Sequence, residues 1–157
     1  MPSRKPGHFA TLLRVRKRVE ELKSQALGAT RRRLHDAVKD RASIGDEQRD
    51  TLARAGALLE EEFDASDVRR YYQYERHLAR LAVQKDAEIR ALERTAAAQR
   101  KELEEALKRR RVAEKLEERT AAVYQDYVRK EEQKALDELA SSHAAAKRGP
   151  GRAARGQ

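Results

Sequence analysis

The four histidines, His8, His35, His77 and His143, are the natural candidates for metal or general-base chemistry, and they lie far apart with no H-x-x-x-H pair. Asp36 follows His35 directly, and consecutive residues point to different sides of a helix, so the two do not form a relay. The chain has no cysteine, which removes thiolate zinc sites, disulfides and cysteine nucleophiles and fits a reducing compartment. No G-x-x-x-x-G-K-[ST] phosphate loop is present. The many carboxylates stand among cations and read as a solvated face, not as an acid/base pair. The expectation is a non-enzymatic protein with no metal and no cofactor.

Three other groups bear on function. Arg14-Val15-Arg16-Lys17-Arg18, with Lys147, Arg148, Arg152 and Arg155 at the other terminus, suits an acidic protein surface, acidic lipid or nucleic acid. Tyr71, Tyr72 and Tyr74 stand among Arg69, Arg70 and Arg76, a set that serves either base stacking or coiled-coil packing with a partner contact. The triplets Arg31-Arg32-Arg33 and Arg109-Arg110-Arg111 fan out around a helix axis and read as surface charge.

The elements that position these residues follow from composition. Of 157 residues, 40% are charged and only 39% hydrophobic, with no Trp and two Phe, too little for a compact single core of that length. The prolines are Pro2, Pro6 and Pro150, so nothing from Gly7 to Gly149 forbids a helix. The expected fold is all-α, a long antiparallel two-helix coiled-coil hairpin. Residues 1–8 are expected to form a flexible basic N-terminus, 9–146 the coiled coil, and 147–157 a disordered basic tail. No apolar run approaches the ~20 residues that span a bilayer and no signal-peptide core follows the basic start, so a soluble, intracellular protein is expected.

The first helix is expected over 9–62, with a heptad stripe at Leu12, Val15, Val19, Leu22, Ala26 and Ala29. The phase then jumps to Leu34 and Val38, which reads as a stutter, and resumes at Leu52, Ala55 and Leu59. The second helix is expected over 67–146 with Leu78, Leu81, Leu92, Ala96, Leu103, Ala106 or Leu107, Ala113, Leu116, Val123 and Tyr127. Lys85, Gln99 and Arg110 fall near its apolar positions. Asp86–Arg90, Glu104–Lys108, Glu105–Arg109 and Asp126–Lys130 are i,i+4 pairs in the favourable order. The turn is placed at 63–67, with Ser66 as N-cap and Asp67 in the first turn. Its rival is Ser43-Ile44-Gly45-Asp46, where a glycine precedes a new cap; with the turn at 63–67, Gly45 becomes a local defect.

Six cations precede Glu20 (Arg4, Lys5, Arg14, Arg16, Lys17, Arg18) and four follow Ser141, with no acid among them, whereas 20–140 is nearly balanced. At ~1.5 Å per residue the helices would run about 80 and about 120 Å, leaving about two dozen residues of the second beyond the start of the first. Both basic ends would then share one extremity of a rod, and the acids at 60–67 the other.

Phe9-x-x-Leu12-Leu13-Arg14-Val15-Arg16 resembles the opening of the FliJ family, the small coiled-coil subunit of the flagellar type III export machinery. Glu114-Lys115-Leu116-Glu117-Glu118-Arg119, then Tyr124-x-x-Tyr127, then Glu131-Glu132-Gln133-Lys134-x-Leu136-Asp137-Glu138-Leu139-Ala140 is similar to the family's E-K-L-x-E-R and E-Q-K-x-x-D-E-x-A ending. Tyr71-Tyr72-Gln73-Tyr74-x-x-x-Leu78-x-x-Leu81 is similar to the aromatic segment of its second helix. The resemblance covers about 9–140 and implies a stalk that inserts into the export ATPase hexamer and promotes its assembly. It also implies contact with the cytoplasmic domain of the export gate protein and handling of export chaperones, at the inner face of the cell membrane. The gate surface falls on Tyr74, Leu78, Leu81 and Lys85, the last standing where some members carry histidine. ATPase-ring contact is expected at Arg14, Arg16, Lys17 and Arg18 with Tyr124, Tyr127 and Lys130. The injectisome stalk is a close relative. A basic nucleic-acid-binding coiled coil is the other class; the balanced rod and the distance of the tyrosines from the basic ends count against it, so no nucleic acid is expected.

Overall fold

A computed structural model describes residues 5–60, 64–147 and 149. Two helices, α1 (Ala10–Leu58) and α2 (Ala65–Lys147), pack against each other as an antiparallel helical hairpin, and no strand occurs among the described residues. Two compact units are present, one of residues 18–107 and one of 1–17 with 108–157.

In the unit of residues 18–107, cross-helix bonds fix direction and register. Lys23 Nζ meets Glu102 Oε2 at 2.5 Å, Arg41 Nε meets Asp86 Oδ1 at 2.9 Å, and Gln48 Nε2 donates to Glu75 Oε1 at 3.3 Å. From Lys23 to Gln48 the number rises by 25 along α1 while from Glu102 to Glu75 it falls by 27 along α2, which requires antiparallel pairing. The buried side chains here are Leu27, Ala37, Leu78, Ala82, Leu92 and Ala106, with Thr30 and Thr51. Only three of these are large apolar side chains and the rest are alanine or threonine, so the helices hold together with little apolar area and depend on helix propensity and flanking ion pairs for the rest.

In the unit of 1–17 with 108–157, Ala113 is buried, and α1 starts against Glu117 of α2. Gly7 takes φ +85°, the left-handed region where a side chain is strained, and turns the chain into the helix. Phe9 C=O accepts the first α-type bond, from Leu13 N–H at 2.8 Å. The Glu117 carboxylate accepts the Phe9 N–H at 2.9 Å and the Gly7 N–H, the part a glutamate at the third helical position plays in a capping box. Here it is supplied by the other helix.

Burial along each helix follows an unbroken heptad. On α1 the inward positions begin at Phe9, Leu13, Arg16, Glu20, Lys23, Leu27 and Thr30, and continue in the same phase to Thr51, Ala55 and Leu58. The stripe from Leu12 to Ala29 expected from sequence is therefore one residue out of phase: Leu12, Val15 and Leu22 are exposed. Nor does a stutter occur. Leu34 belongs to the same phase as Leu13 and Leu27, whereas Val38 and Leu52 face solvent. A regular helix cannot shift its buried face without an insertion, so the phase that serves its whole length prevails over the more apolar local one. Arginine and lysine tolerate seam positions because their stems pack inward while their heads reach flanking carboxylates.

On α2 the inward positions run Val68, Tyr71, Glu75, Leu78, Ala82 and Lys85, and on in the same phase to Tyr124 and Tyr127. Leu78, Leu92, Ala96, Leu103, Ala106, Ala113 and Tyr127 occupy the seam as their spacing predicts, and Lys85, Gln99 and Arg110 fall in it too. Val123 is exposed instead. From Arg129 to Lys147 every residue of α2 is exposed.

The helix ends and pairings bring further differences. α1 passes through Ser43-Ile44-Gly45-Asp46 without interruption, so Gly45 makes no break. Leu59 and Glu60 turn after α1; Phe63, with Glu61 and Glu62, lies outside the described residues. Asp64, not Ser66, caps α2. Asp64 C=O accepts from Asp67 N–H at 3.0 Å, and its carboxylate accepts from Ser66 N–H at 3.3 Å and Ser66 Oγ–H at 2.6 Å. The helix begins two residues earlier than the sequence suggests, which moves the capping position back. Asp86, expected to pair with Arg90, holds Arg41 across the seam.

Candidate functional site

The gate-contact residues expected from sequence lie in the unit of 18–107, Tyr74 and Leu81 on a flank of the pair and Leu78 and Lys85 in its seam. Tyr74 is 43% exposed, and its hydroxyl donates to Glu47 Oε1 at 3.2 Å. Partial desolvation, then the neighbouring Glu47 charge, raise the tyrosine's pKa above its ordinary value. Lys85 Nζ bridges Glu88 Oε2 at 2.9 Å and Asp40 Oδ2 at 3.1 Å. The bond to Glu88, then that to Asp40, raise its pKa, so it remains a cation. Leu81 is half-buried beside them.

Leu78 differs. It is 4% exposed and forms part of the seam, as its spacing predicts, so it lies beneath the surface that the resemblance assigns to it. The spacing 74, 78, 81, 85 alternates between flank and seam, so a single partner reaches Tyr74 and Leu81 far more readily than Leu78. The structure adds Asp40 and Glu47 of α1 to this flank. Sequence reasoning missed them because they meet α2 only through the hairpin.

Near the turn, Thr51, Leu52, Ala55, Leu58, Tyr71 and Tyr72 are among the residues lining a mainly apolar pocket of about 240 Å³. The three tyrosines separate by environment: Tyr71 is half-buried, Tyr72 stands 72% exposed, and Tyr74 is tied to Glu47.

The ATPase-contact residues expected from sequence also divide. In the unit of 1–17 with 108–157, Arg14, Lys17 and Lys130 are exposed, whereas Arg16, Tyr124 and Tyr127 are half-buried seam residues. Tyr127 is the last half-buried seam residue of α2; beyond Val128 the helix has only exposed positions. Arg18, in the unit of 18–107, is exposed and pairs with Glu21 at 3.1 Å. The half-buried positions arise because α1 buries the phase of Leu13 and Leu27, to which Arg16 belongs, and because Tyr124 and Tyr127 continue the α2 seam. Glu117, the cap of α1, is a neighbour of these residues that spacing could not reveal; it stands at the unspecified position of the E-K-L-x-E-R stretch, so that pattern does not mark it either.

Among the described residues, no group of three or more His, Asp or Glu is placed to hold a metal ion, and no helix is long and apolar enough to cross a membrane. The fold is that of an antiparallel coiled-coil hairpin. The pattern of the family described as Flagellar FliJ protein matches residues 5–149, and the chain belongs to that family. No curated protein and no solved structure matches.

Proposed function

We propose that the chain is the non-enzymatic coiled-coil stalk of a flagellar type III protein export apparatus. The family match over 5–149 carries this reading, and favours the flagellar system over the injectisome. In this role Arg14, Arg16, Lys17, Arg18, Tyr124, Tyr127 and Lys130 engage the export ATPase hexamer and promote its assembly. The flank of Tyr74 and Leu81, with the seam residues Leu78 and Lys85 beside it, meets the cytoplasmic domain of the export gate protein. The same protein handles export chaperones, and works in the cytoplasm at the inner face of the membrane at the flagellar base.

The division between exposed and seam residues selects the test. Arg14→Glu, Lys17→Glu and Arg18→Glu change exposed positions and leave the half-buried Arg16 in place. Exposed charges act over only about 8–10 Å at physiological ionic strength, so the Tyr74 flank should not respond. ATPase stimulation by the triple variant should fall while gate binding persists. A wild-type chain that leaves the flagellar export ATPase unaffected, yet holds duplex nucleic acid tightly at physiological salt, would overturn the assignment.

A further inference from the structure

In the unit of 18–107, the structure sorts the charges of α2 by face in a way net charge conceals. Between residues 68 and 101 the acids of α2 are Glu75, Asp86, Glu88 and Glu93. Glu75 sits in the seam, where it accepts from Gln48 of α1, and Asp86 and Glu88 flank it, bonded to Arg41 and Lys85. Glu93 is seven residues beyond Asp86, in the same flanking column of the heptad.

The three columns directed away from α1 contain no acid over this stretch. They carry Arg69, Arg76, Arg80, Arg90, Arg94 and Lys101, all exposed, and none of the six is ion-paired with a described residue. Arg70 lies on the same face but holds Asp67. At ~1.5 Å per residue the strip covers about 48 Å, and it ends where Glu104 and Glu105 enter these columns. Between the cations stand Ala87, Ala91, Ala97 and Ala98, which keep the surface low, together with Val83, 66% exposed.

We propose that this outer face of α2 lies directly against an anionic phospholipid surface. A helix face is convex and offers no groove to enclose a peptide. A planar layer of negative headgroups engages cations along the whole strip at once, and small side chains between them permit close approach. Val83 is the one large apolar side chain among the cations and alanines of these columns, so adsorption is electrostatic with no buried apolar stripe. Duplex nucleic acid fits less well. Its major groove, about 12 Å wide, admits one helix, whereas α2 carries α1 along its other side throughout the strip.

The test uses the full chain and two triple variants in vesicle co-sedimentation. Arg80→Gln, Arg90→Gln and Arg94→Gln neutralise the strip; glutamine keeps helix propensity, and unchanged circular dichroism checks the fold. Arg14→Gln, Lys17→Gln and Arg18→Gln neutralise as many cations away from it. At about 100 mM salt, wild type should sediment with phosphatidylcholine vesicles containing about a quarter phosphatidylglycerol, and not with phosphatidylcholine alone. Each Lys or Arg at such a surface strengthens adsorption about fivefold, so the strip variant should bind about a hundredfold more weakly and lose more than the N-terminal variant. Absence of wild-type adsorption, equal binding to neutral vesicles, or a strip variant that binds like wild type would overturn the proposal. So would a strip variant that loses duplex DNA binding while keeping vesicle binding, because the occupant would then be nucleic acid.

Discussion

Replacing Glu117 by alanine should loosen the start of α1 although Glu117 lies on the other helix. The first turn of a helix has backbone N–H groups without intrahelical acceptors. Glu117 takes the Phe9 N–H at 2.9 Å and the Gly7 N–H, and puts a negative charge at the positive end of the α1 dipole. Losing an N-terminal cap costs about 0.5–2 kcal/mol, and losing a favourable charge at a helix start about 0.3–1 kcal/mol. Because the site is only part-buried, about 1–2 kcal/mol is the appropriate sum, a factor of about 5–30 in local opening. Native-state hydrogen exchange measures this directly: protection of the Leu13 and Arg14 amides should fall by that factor in Glu117→Ala, while the Leu27 and Leu92 amides should hold. Glu117→Gln, which keeps an acceptor oxygen but not the charge, should give an intermediate loss. Under the proposed function ATPase stimulation should weaken too, since Arg14 and Lys17 ride on those turns. Unchanged protection at Leu13 and Arg14 in Glu117→Ala would refute the cross-helix cap.

Leu78→Ala should destabilise the chain by about 2–4 kcal/mol, since it empties a buried seam position, and should lower the urea midpoint followed by circular dichroism; an unchanged midpoint would mean that Leu78 faces solvent. The Asp64 cap should be pH-dependent. The Ser66 hydroxyl, then the Ser66 backbone N–H, hold its carboxyl below the ordinary aspartate range, so its contribution is complete above the unfolded-state pKa and is lost as pH falls through the folded one. Asp64→Ala should therefore unfold earlier in urea than wild type at neutral pH and match it in strong acid; a difference that persists in strong acid would exclude the carboxylate as its source.

The sequence alone established two long helices, because proline is confined to the termini and charge exceeds apolar content. It also established most of the α2 seam, where Leu78, Leu92, Leu103 and the alanines between them keep one period, and the family, through ordered motifs from Phe9 to Ala140. The phase of α1 was decided by the tertiary structure. Leu12, Val15, Val19 and Leu22 form a more apolar local stripe than Leu13, Arg16, Glu20 and Lys23, but only the latter remains in phase with Leu27, Ala37, Thr51 and Leu58. A packed hairpin selects the face that fits its partner throughout, and long cationic side chains tolerate the seam when carboxylates such as Glu102 and Asp86 lie opposite. The cap on α1 joins residues 108 positions apart, and no local pattern encodes such a bond. The sorting of charge on α2 likewise appears only once α1 occupies one side: α1 draws Glu75 and Asp86 inward and leaves Arg80, Arg90 and Arg94 on the face toward solvent.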